Sequence, residues 1–221
     1  LNTDDYYQPN IFRKIMDMFV ENPDVDAICS SARVFEADPK NHERDIVVYE
    51  AIDSRSFPMR ITTGVPIFNA WFFRRRVFER IGFYSLDYPL MADRDFLIRC
   101  YLGGLRILSV NSVFYNYRYH SGSLTINSNY SISLMKEALP LSKSYLMQKD
   151  MDPVIKKNCA EWHDRVSIEM LIWHARNGNI AESFNVIRNA IAANPLWLFL
   201  IAGQTSARTI NYIKKNYVAN D

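Results

Sequence analysis

The sequence predicts an α/β fold over residues 1–128, a mixed sheet with flanking helices, followed by an α-helical extension over residues 129–221. Up to about residue 119, short apolar runs typical of strands alternate with stretches of helical periodicity. From Tyr130 onward, glycine is rare and apolar residues recur at helical spacing. An apolar share of 48% and a charged share of 23% are typical of globular proteins. A chain of 221 residues is long enough for one substantial core.

The first elements follow from apolar spacing and from the residues that interrupt it. A helix is predicted over residues 9–21, because a proline suits its first turn and another proline follows its end. Strands are predicted over residues 26–35 and 45–50. Residues 51–66 contain two prolines and a glycine, which predicts a loop of functional length.

The second half of the sheet is predicted in the same way. A strand over residues 67–73 leads into a short helix over residues 75–81, which a glycine ends. A helix over residues 92–102 begins within an acidic cluster and ends at a glycine pair. Strands over residues 105–110 and 113–119 complete the predicted sheet.

The region after Tyr130 predicts four or five helices. Residues 173–195 resemble one helix–turn–helix unit of the tetratricopeptide type, although such arrays need about three units. The apolar run at residues 196–203 is shorter than the roughly 18 residues that a membrane span needs. With the basic stretch at residues 208–215, this run fits either peripheral association with an anionic membrane or a core helix.

Composition excludes several classes of protein. A net charge of +2 gives no reason to expect a nucleic-acid partner. The three cysteines, Cys29, Cys100 and Cys159, are widely spaced among apolar neighbours, which predicts buried thiols in a reducing compartment and not a disulfide frame or a zinc site. The chain begins at Leu1 and not at a methionine, so we expect it to be a fragment of a longer protein.

Adjacent carboxylates open the chain. Asp4 and Asp5 directly follow an apolar position, which fits the carboxyl end of a parallel strand, where open α/β sheets bind ligands. Hard divalent cations accept one or two protein carboxylates together with waters and substrate phosphates. The alternative is that one of these aspartates caps the helix that begins near Pro9.

A second acidic cluster lies at the start of the helix predicted over residues 92–102. Asp95 fits a helix cap or an ion pair with Arg99, four residues later. Asp93 follows a short, mostly apolar approach, so its carboxylate fits a partly dry cleft in which a raised pKa suits a general base. Capping of the helix is the alternative for Asp93 as well.

His120 lies where the last predicted strand gives way to a loop of small residues, a position from which it can ligate a metal or contact phosphate. The other histidines are interpreted as structural: His42, His163 and His174. A basic cluster is interpreted as a solvated corner between strand and helix, with binding of a diphosphate or lipid headgroup as the alternative: Arg74, Arg75, Arg76 and Arg80.

Four segments in order resemble the family 2 glycosyltransferases of the GT-A fold. LNTDD at residues 1–5 resembles the DXD-type segment of that family, and FFRRRVFERIGFY at residues 72–84 resembles its strand and helix ending in Ile-Gly-Phe. LMADRDFLIR at residues 90–99 is similar to the segment with the catalytic aspartate. YNYRYHSGSLT at residues 115–125 is similar to the usual ending of the catalytic domain. The resemblance implies an incomplete GT-A domain over residues 1–128 whose nucleotide-binding half precedes Leu1.

The resemblance assigns a donor and metal site. Asp4 would bind a manganese or magnesium ion that bridges the diphosphate of a nucleotide-diphosphate-sugar, and Asp5 and His120 are the further expected metal ligands. The residues expected at the donor are Asn2, Thr3, Asp5 and His120. Asn2 departs from the commoner DXD pattern, in which the first residue is acidic, so metal contact depends on the aspartates that follow.

The resemblance also assigns the reaction. Asp93 would be the general base of an inverting transfer to a hydroxyl of a glycan or lipid-linked acceptor, in synthesis of cell-surface polysaccharide or another glycan. Ala92 replaces a glutamate that many members have before this aspartate. The expected location is the cytoplasm, including the inner face of the plasma membrane. We expect this fragment to be inactive alone.

Two other functions fit the same residues. The acidic pairs are simple helix caps if the helical extension is a non-catalytic module that binds a protein or a membrane surface. A metal-dependent hydrolase or nucleotidyl transferase built on Asp4 and Asp5 is the other alternative, although no further ligand motif accompanies them.

Overall fold

The computed structural model describes residues 4–38, 42–120 and 128–198. Within these ranges the fold is α/β, with a five-stranded mixed sheet and seven α-helices. In chain order the elements are β1 (Tyr6–Tyr7), α1 (Ile11–Glu21), β2 (Ala27–Ala37), β3 (Glu43–Tyr49), α2 (Phe57–Thr62), β4 (Trp71–Phe73), α3 (Arg75–Ile81), α4 (Ala92–Leu102), β5 (Ile107–Arg118), α5 (Ser128–Leu146), α6 (Pro153–Arg176) and α7 (Ile180–Ala193). Among the predicted donor residues, Asn2 and Thr3 lie outside the described ranges.

Strand β2 is the centre of the sheet. It pairs in parallel with β5 and antiparallel with β3 and β4, and β1 adds to the far edge of β5 in the antiparallel direction. The predicted strands at residues 105–110 and 113–119 form one strand, β5. The register with β2 shifts where Asn111 and Ser112 are exposed, so this polar pair interrupts the apolar pattern without ending the strand.

The predicted helices over residues 9–21, 75–81 and 92–102 are confirmed as α1, α3 and α4. The prediction that residues 51–66 form only a loop was wrong, because α2 lies in their middle. Its first turn contains Pro58, and burial of Phe57 and Ile61 stabilises a helix too short to form alone. The strand predicted over residues 67–73 is shortened to β4, because its first half forms a 3₁₀ turn.

The helices after residue 128 share the main hydrophobic core with the sheet. Leu141 and Tyr145 of α5 and Trp162 of α6 belong to the same buried cluster as Phe96 and Leu97 of α4. Helices α6 and α7 form the predicted helix–turn–helix, in which Gly178 has a positive φ of 71°. No helix of the described residues is both long and apolar enough to cross a bilayer. The basic stretch at residues 208–215 lies outside the described ranges.

The predicted burial of all three cysteines is confirmed, and none forms a disulfide. Burial raises the pKa of the Cys29, Cys100 and Cys159 thiols to about 12. Each thiol therefore stays protonated at neutral pH and contributes to packing, because a reactive cysteine requires access and a lowered pKa.

Asp26 is a buried charge that joins the starts of β2, β5 and α3. Its side chain is 1% exposed. Its Oδ1 accepts a hydrogen bond from Arg76 Nε at 2.9 Å, and its Oδ2 accepts from Arg80 and from the Arg106 backbone N–H, each at 3.1 Å. Burial alone would raise the pKa of Asp26, but the Arg106 amide and the two guanidinium groups lower it below its usual value.

These contacts refine the interpretation of the basic cluster as a solvated corner. Arg75, Arg76 and Arg80 are exposed, as that interpretation expects, but Arg76 and Arg80 also pair with Asp26. The Arg75 side chain is 91% exposed and pairs with Glu79 on its own helix. Arg74 instead donates to the backbone carbonyls of Val25 and Asn22 and lies over the Phe19 ring. Arg74, Arg76 and Arg80 thus already have partners within the protein. The alternative that this cluster binds an anionic ligand is correspondingly less favoured.

We predict that Asp26→Asn lowers the free energy of unfolding by about 2–4 kcal/mol at pH 7, because charge-assisted hydrogen bonds to a buried carboxylate are lost. Urea denaturation measures this change. Because the pKa of Asp26 is lowered in the folded protein, its contribution is present above the unfolded pKa of about 3.9 and disappears as the pH falls through the lower folded value.

Asp24→Asn is the matched control, since the Asp24 side chain is 86% exposed and lies 3.6 Å from Arg106. Its effect should stay below about 0.5 kcal/mol. Equal effects of the two substitutions at pH 7 would contradict the anchoring role of Asp26.

Candidate active site

The pairing of β1 with β5 brings the two ends of the candidate site together. In this antiparallel pair Tyr6 lies opposite Asn116 and Tyr7 opposite Tyr115, so the residues that precede β1 meet the residues that follow β5. Asp4 and His120 meet in this way. Their Oδ2 and Nε2 atoms lie 2.6 Å apart, and both side chains are partly exposed.

Asp5 is buried beside this pair, with 6% of the residue exposed. Its Oδ2 accepts a hydrogen bond from the Tyr115 hydroxyl at 2.6 Å, and its Oδ1 accepts from the Arg118 backbone N–H at 3.0 Å. Neither Asp4 nor Asp5 caps α1, whose N-cap residue is Asn10. Asp5 thus fixes the start of β1 against the end of β5, and it thereby helps to hold Asp4 near His120.

Asp93 lies in the first turn of α4, as the sequence predicts. Burial raises the pKa of its carboxyl group above the usual value. A 2.7 Å hydrogen bond from the Arg94 backbone N–H and the positive charge of Arg94 act in the opposite direction but do not outweigh burial. The neighbouring Asp95 forms the predicted ion pair with Arg99, at 2.8 Å. The two carboxylates of this helix therefore differ in role, because Asp95 is paired with a cation while Asp93 faces a cavity.

That cavity has a volume of about 610 Å³ and lies on one face of the sheet. Asp93 and Tyr115 both line it, and Tyr115 is the residue whose hydroxyl bonds Asp5. The cavity also reaches Tyr119, which immediately precedes His120. The other lining residues are Val34, Ile46, Val47, Tyr49, Val65, Pro66, Ile67, Phe68, Asn69 and Tyr117.

The tyrosines of β5 were not singled out from the sequence. Tyr115, Tyr117 and Tyr119 occur at every second position, and in a strand this spacing places side chains on one face. The alternation was therefore a usable signal for a cavity wall. Asn69 Nδ2 donates a hydrogen bond to the Tyr115 hydroxyl at 2.9 Å. No local sequence pattern indicates this bond, because the two residues are 46 positions apart.

Arg94 is a second residue that sequence reasoning missed. Its guanidinium donates to the backbone carbonyls of Ile61, Thr62 and Gly64 at the end of α2, and it lies 5.0 Å from the centre of the Trp162 ring. Burial lowers the pKa of Arg94 to about 10, so it remains charged at neutral pH. Arg94 therefore ties the segment after α2, which borders the cavity, to the helix that carries Asp93.

The donor set partly fits a divalent cation. Asp4 offers a carboxylate and His120 an imidazole, and both are partly accessible at one edge of the sheet. Asp5 is less accessible, and both its oxygens already accept hydrogen bonds. Within the described ranges, no group of three or more His, Cys, Asp or Glu side chains is placed to hold a metal. A magnesium-type ion at Asp4 and His120 would therefore take its remaining ligands from water and substrate phosphates.

Comparison with known proteins adds no assignment to this geometry. No protein-family model matches the chain, and no curated protein sequence matches it. The indications of function are therefore the arrangement of Asp4, His120 and Asp93 and the four sequence segments that resemble family 2 glycosyltransferases.

We predict that Tyr115→Phe lowers the free energy of unfolding by about 1–3 kcal/mol, because it leaves the buried Asp5 carboxylate short of one hydrogen bond. Guanidinium denaturation measures this change. Tyr119→Phe is the control, since this more exposed tyrosine lines the same cavity and directly follows β5. A loss no larger than that of the control would show that the Tyr115–Asp5 bond does not stabilise the strand ends.

Proposed function

We propose that this chain carries the metal and base residues of an inverting glycosyltransferase of the GT-A type. The observation that carries the proposal is that Asp93 and Tyr115 line the same cavity. The Tyr115 hydroxyl in turn bonds to Asp5, the neighbour of Asp4. The four segments that resemble family 2 glycosyltransferases contain these same residues. The donor is a nucleotide-diphosphate-sugar, and the acceptor is a hydroxyl group of a glycan or a lipid-linked molecule.

Asp93 acts as the general base. Its carboxylate takes the proton of the acceptor hydroxyl while the acceptor oxygen bonds to the anomeric carbon and the bond from that carbon to the diphosphate oxygen breaks. Attack from the side opposite the leaving group inverts the anomeric configuration. The raised pKa of Asp93 suits this role, because a base is more effective when its pKa approaches the working pH.

The other end of the site receives the leaving group. A divalent cation, when bound, supplies positive charge that stabilises the departing diphosphate. Asp4 and His120 would hold it, with the diphosphate oxygens as further ligands. The cavity walls are mostly apolar and aromatic, so they offer packing surface to a bound substrate.

We predict that Asp93→Asn lowers the turnover number by about 100- to 10,000-fold and leaves donor affinity within about twofold, because the amide keeps its shape but cannot accept the proton. The measurement is nucleoside-diphosphate release and donor titration on the protein at its full natural length. Below the raised pKa of Asp93, wild-type turnover should fall, because the protonated carboxyl group is no base.

Asp87→Asn is the matched control, since Asp87 is exposed in the segment before α4. This variant should keep wild-type turnover. Near-normal turnover of Asp93→Asn would remove Asp93 from the catalytic role, and a uniform loss in both variants would indicate damage to the segment and not to a base.

We predict that Asp4→Ala abolishes the manganese-dependent part of donor binding, because one of the two exposed ligands at the sheet edge is lost. Calorimetric titration of donor with and without manganese measures this part. Asp17→Ala, an exposed aspartate on α1, is the control. A manganese dependence unchanged by Asp4→Ala would count against the metal site.

A further inference from the structure

We propose that the helical extension is part of the catalytic machinery and that Glu137 of α5 is a positioning residue for Asp93. This inference rests on the proposed function, since it assigns a residue to the same site. Helix α5 would then position a catalytic residue as well as complete the hydrophobic core. The contacts that support it join α5 to the first turn of α4 at two places.

The first contact is made by Glu137. Its Oε2 accepts hydrogen bonds from the backbone N–H groups of Leu90 at 2.7 Å and Met91 at 3.1 Å. These residues immediately precede α4, whose N-cap residue, Met91, makes no side-chain capping bond. The N–H groups at the start of a helix lack intrahelical partners and carry partial positive charge. Glu137 therefore joins the turn before α4 to α5, and it shares the Met91 N–H with the Tyr88 carbonyl, which lies at 3.1 Å.

The second contact is made by Tyr145, two turns further along α5. Its hydroxyl donates to Asp95 Oδ1 at 2.7 Å, and Asp95 Oδ2 accepts from Arg99 Nε at 2.8 Å. Residues eight apart lie close to the same stripe of a helix, so Glu137 and Tyr145 both face α4. Glu137 therefore holds the backbone before Asp93, and Tyr145 holds the carboxylate of Asp95 after it.

The position of Asp93 depends on these contacts of Glu137 and Tyr145 with α4 and the segment before it. The Asp93 side chain is oriented by the Arg94 amide of its own helix, so it moves with the first turn of α4. Glu137 does not line the cavity, so it acts on Asp93 through the backbone and not on a substrate, as a positioning residue does. A displacement of about 1 Å at a reacting group costs on the order of 100-fold in rate.

The test compares Glu137→Ala with Glu137→Gln on the protein at its full natural length. The alanine variant loses both hydrogen bonds, whereas the glutamine variant keeps a carbonyl oxygen that accepts them. We predict that Glu137→Ala lowers kcat by about 10- to 100-fold with the donor KM within about threefold, and that Glu137→Gln restores kcat to within about threefold of the wild type.

Hydrogen exchange supplies a readout that does not require activity. In the 221-residue chain, the Leu90 amide should exchange about tenfold faster in Glu137→Ala and near the wild-type rate in Glu137→Gln, whereas the Met91 amide, which also donates to the Tyr88 carbonyl, should change less. Glu161→Ala is the control, because Glu161 is an exposed glutamate of α6 that pairs only with Lys157, at 3.9 Å, among the contacts of its side chain described here. It should change neither readout.

The outcomes separate this inference from the proposed function. Wild-type exchange at Leu90 in Glu137→Ala would show that Glu137 does not hold the segment before α4. Faster exchange with unchanged kcat would show that this contact does not matter for catalysis. Equal losses of kcat in the alanine and glutamine variants also overturn the positioning role. If the wild-type protein releases no nucleoside diphosphate from any donor, the proposed function fails, and the exchange result then describes only a structural contact.

Discussion

The parallel pairing of β2 with β5 is the constraint on which the rest of the structure depends. Two buried aspartates fix the ends of β5. At its start, Asp26 accepts the Arg106 amide and two guanidinium groups, and at its end Asp5 accepts the Arg118 amide and the Tyr115 hydroxyl. Because a slip of one residue would turn every side chain of a strand to the opposite face, these anchors also fix which face carries the tyrosines.

The candidate site follows from that fixed strand. With β5 held in register, its antiparallel partner β1 places Asp4 within hydrogen-bonding distance of His120. The same strand supplies the tyrosine wall of the cavity that Asp93 lines from α4. A donor that bridges the two ends would bring its diphosphate to the sheet edge and its sugar toward the base. The polar sheet edge at Asp4 and His120 and the buried carboxyl group of Asp93 would then serve the two ends of the proposed sugar transfer.

The elements that the sequence predicts best are those whose signals are local. Helices α3 and α4 were predicted to within a residue because apolar spacing and a following glycine mark them, as at Gly82 with its positive φ of 85°. Helix α2 was missed because it is short, and it is burial of Phe57 and Ile61 against other elements that stabilises it. Propensity alone does not report such tertiary stabilisation.

The site was predictable only in part, for the same physical reason. Asp4 and His120 were paired from the order of the resembling segments, since their separation of 116 residues carries no periodic signal. The roles of Arg94 and Glu137 depend on backbone carbonyls and amides of distant segments, which no side-chain pattern in the sequence identifies. Ion pairs at Asp26 were likewise hidden in a basic cluster that is typical of a solvent-exposed corner.

The account depends most on the proposal that Asp4 and His120 at the sheet edge and Asp93 in the cavity act on one bound donor, with Tyr115 and Asp5 between them. Carbon-13 NMR of the chain during titration with manganese and a nucleoside diphosphate tests this claim most directly, because a paramagnetic ion broadens nearby resonances. We expect His120 to broaden first and Asp93 next, while the buried His163 of α6 stays sharp. Broadening that spares His120, or that reaches His163 before Asp93, would contradict the shared site.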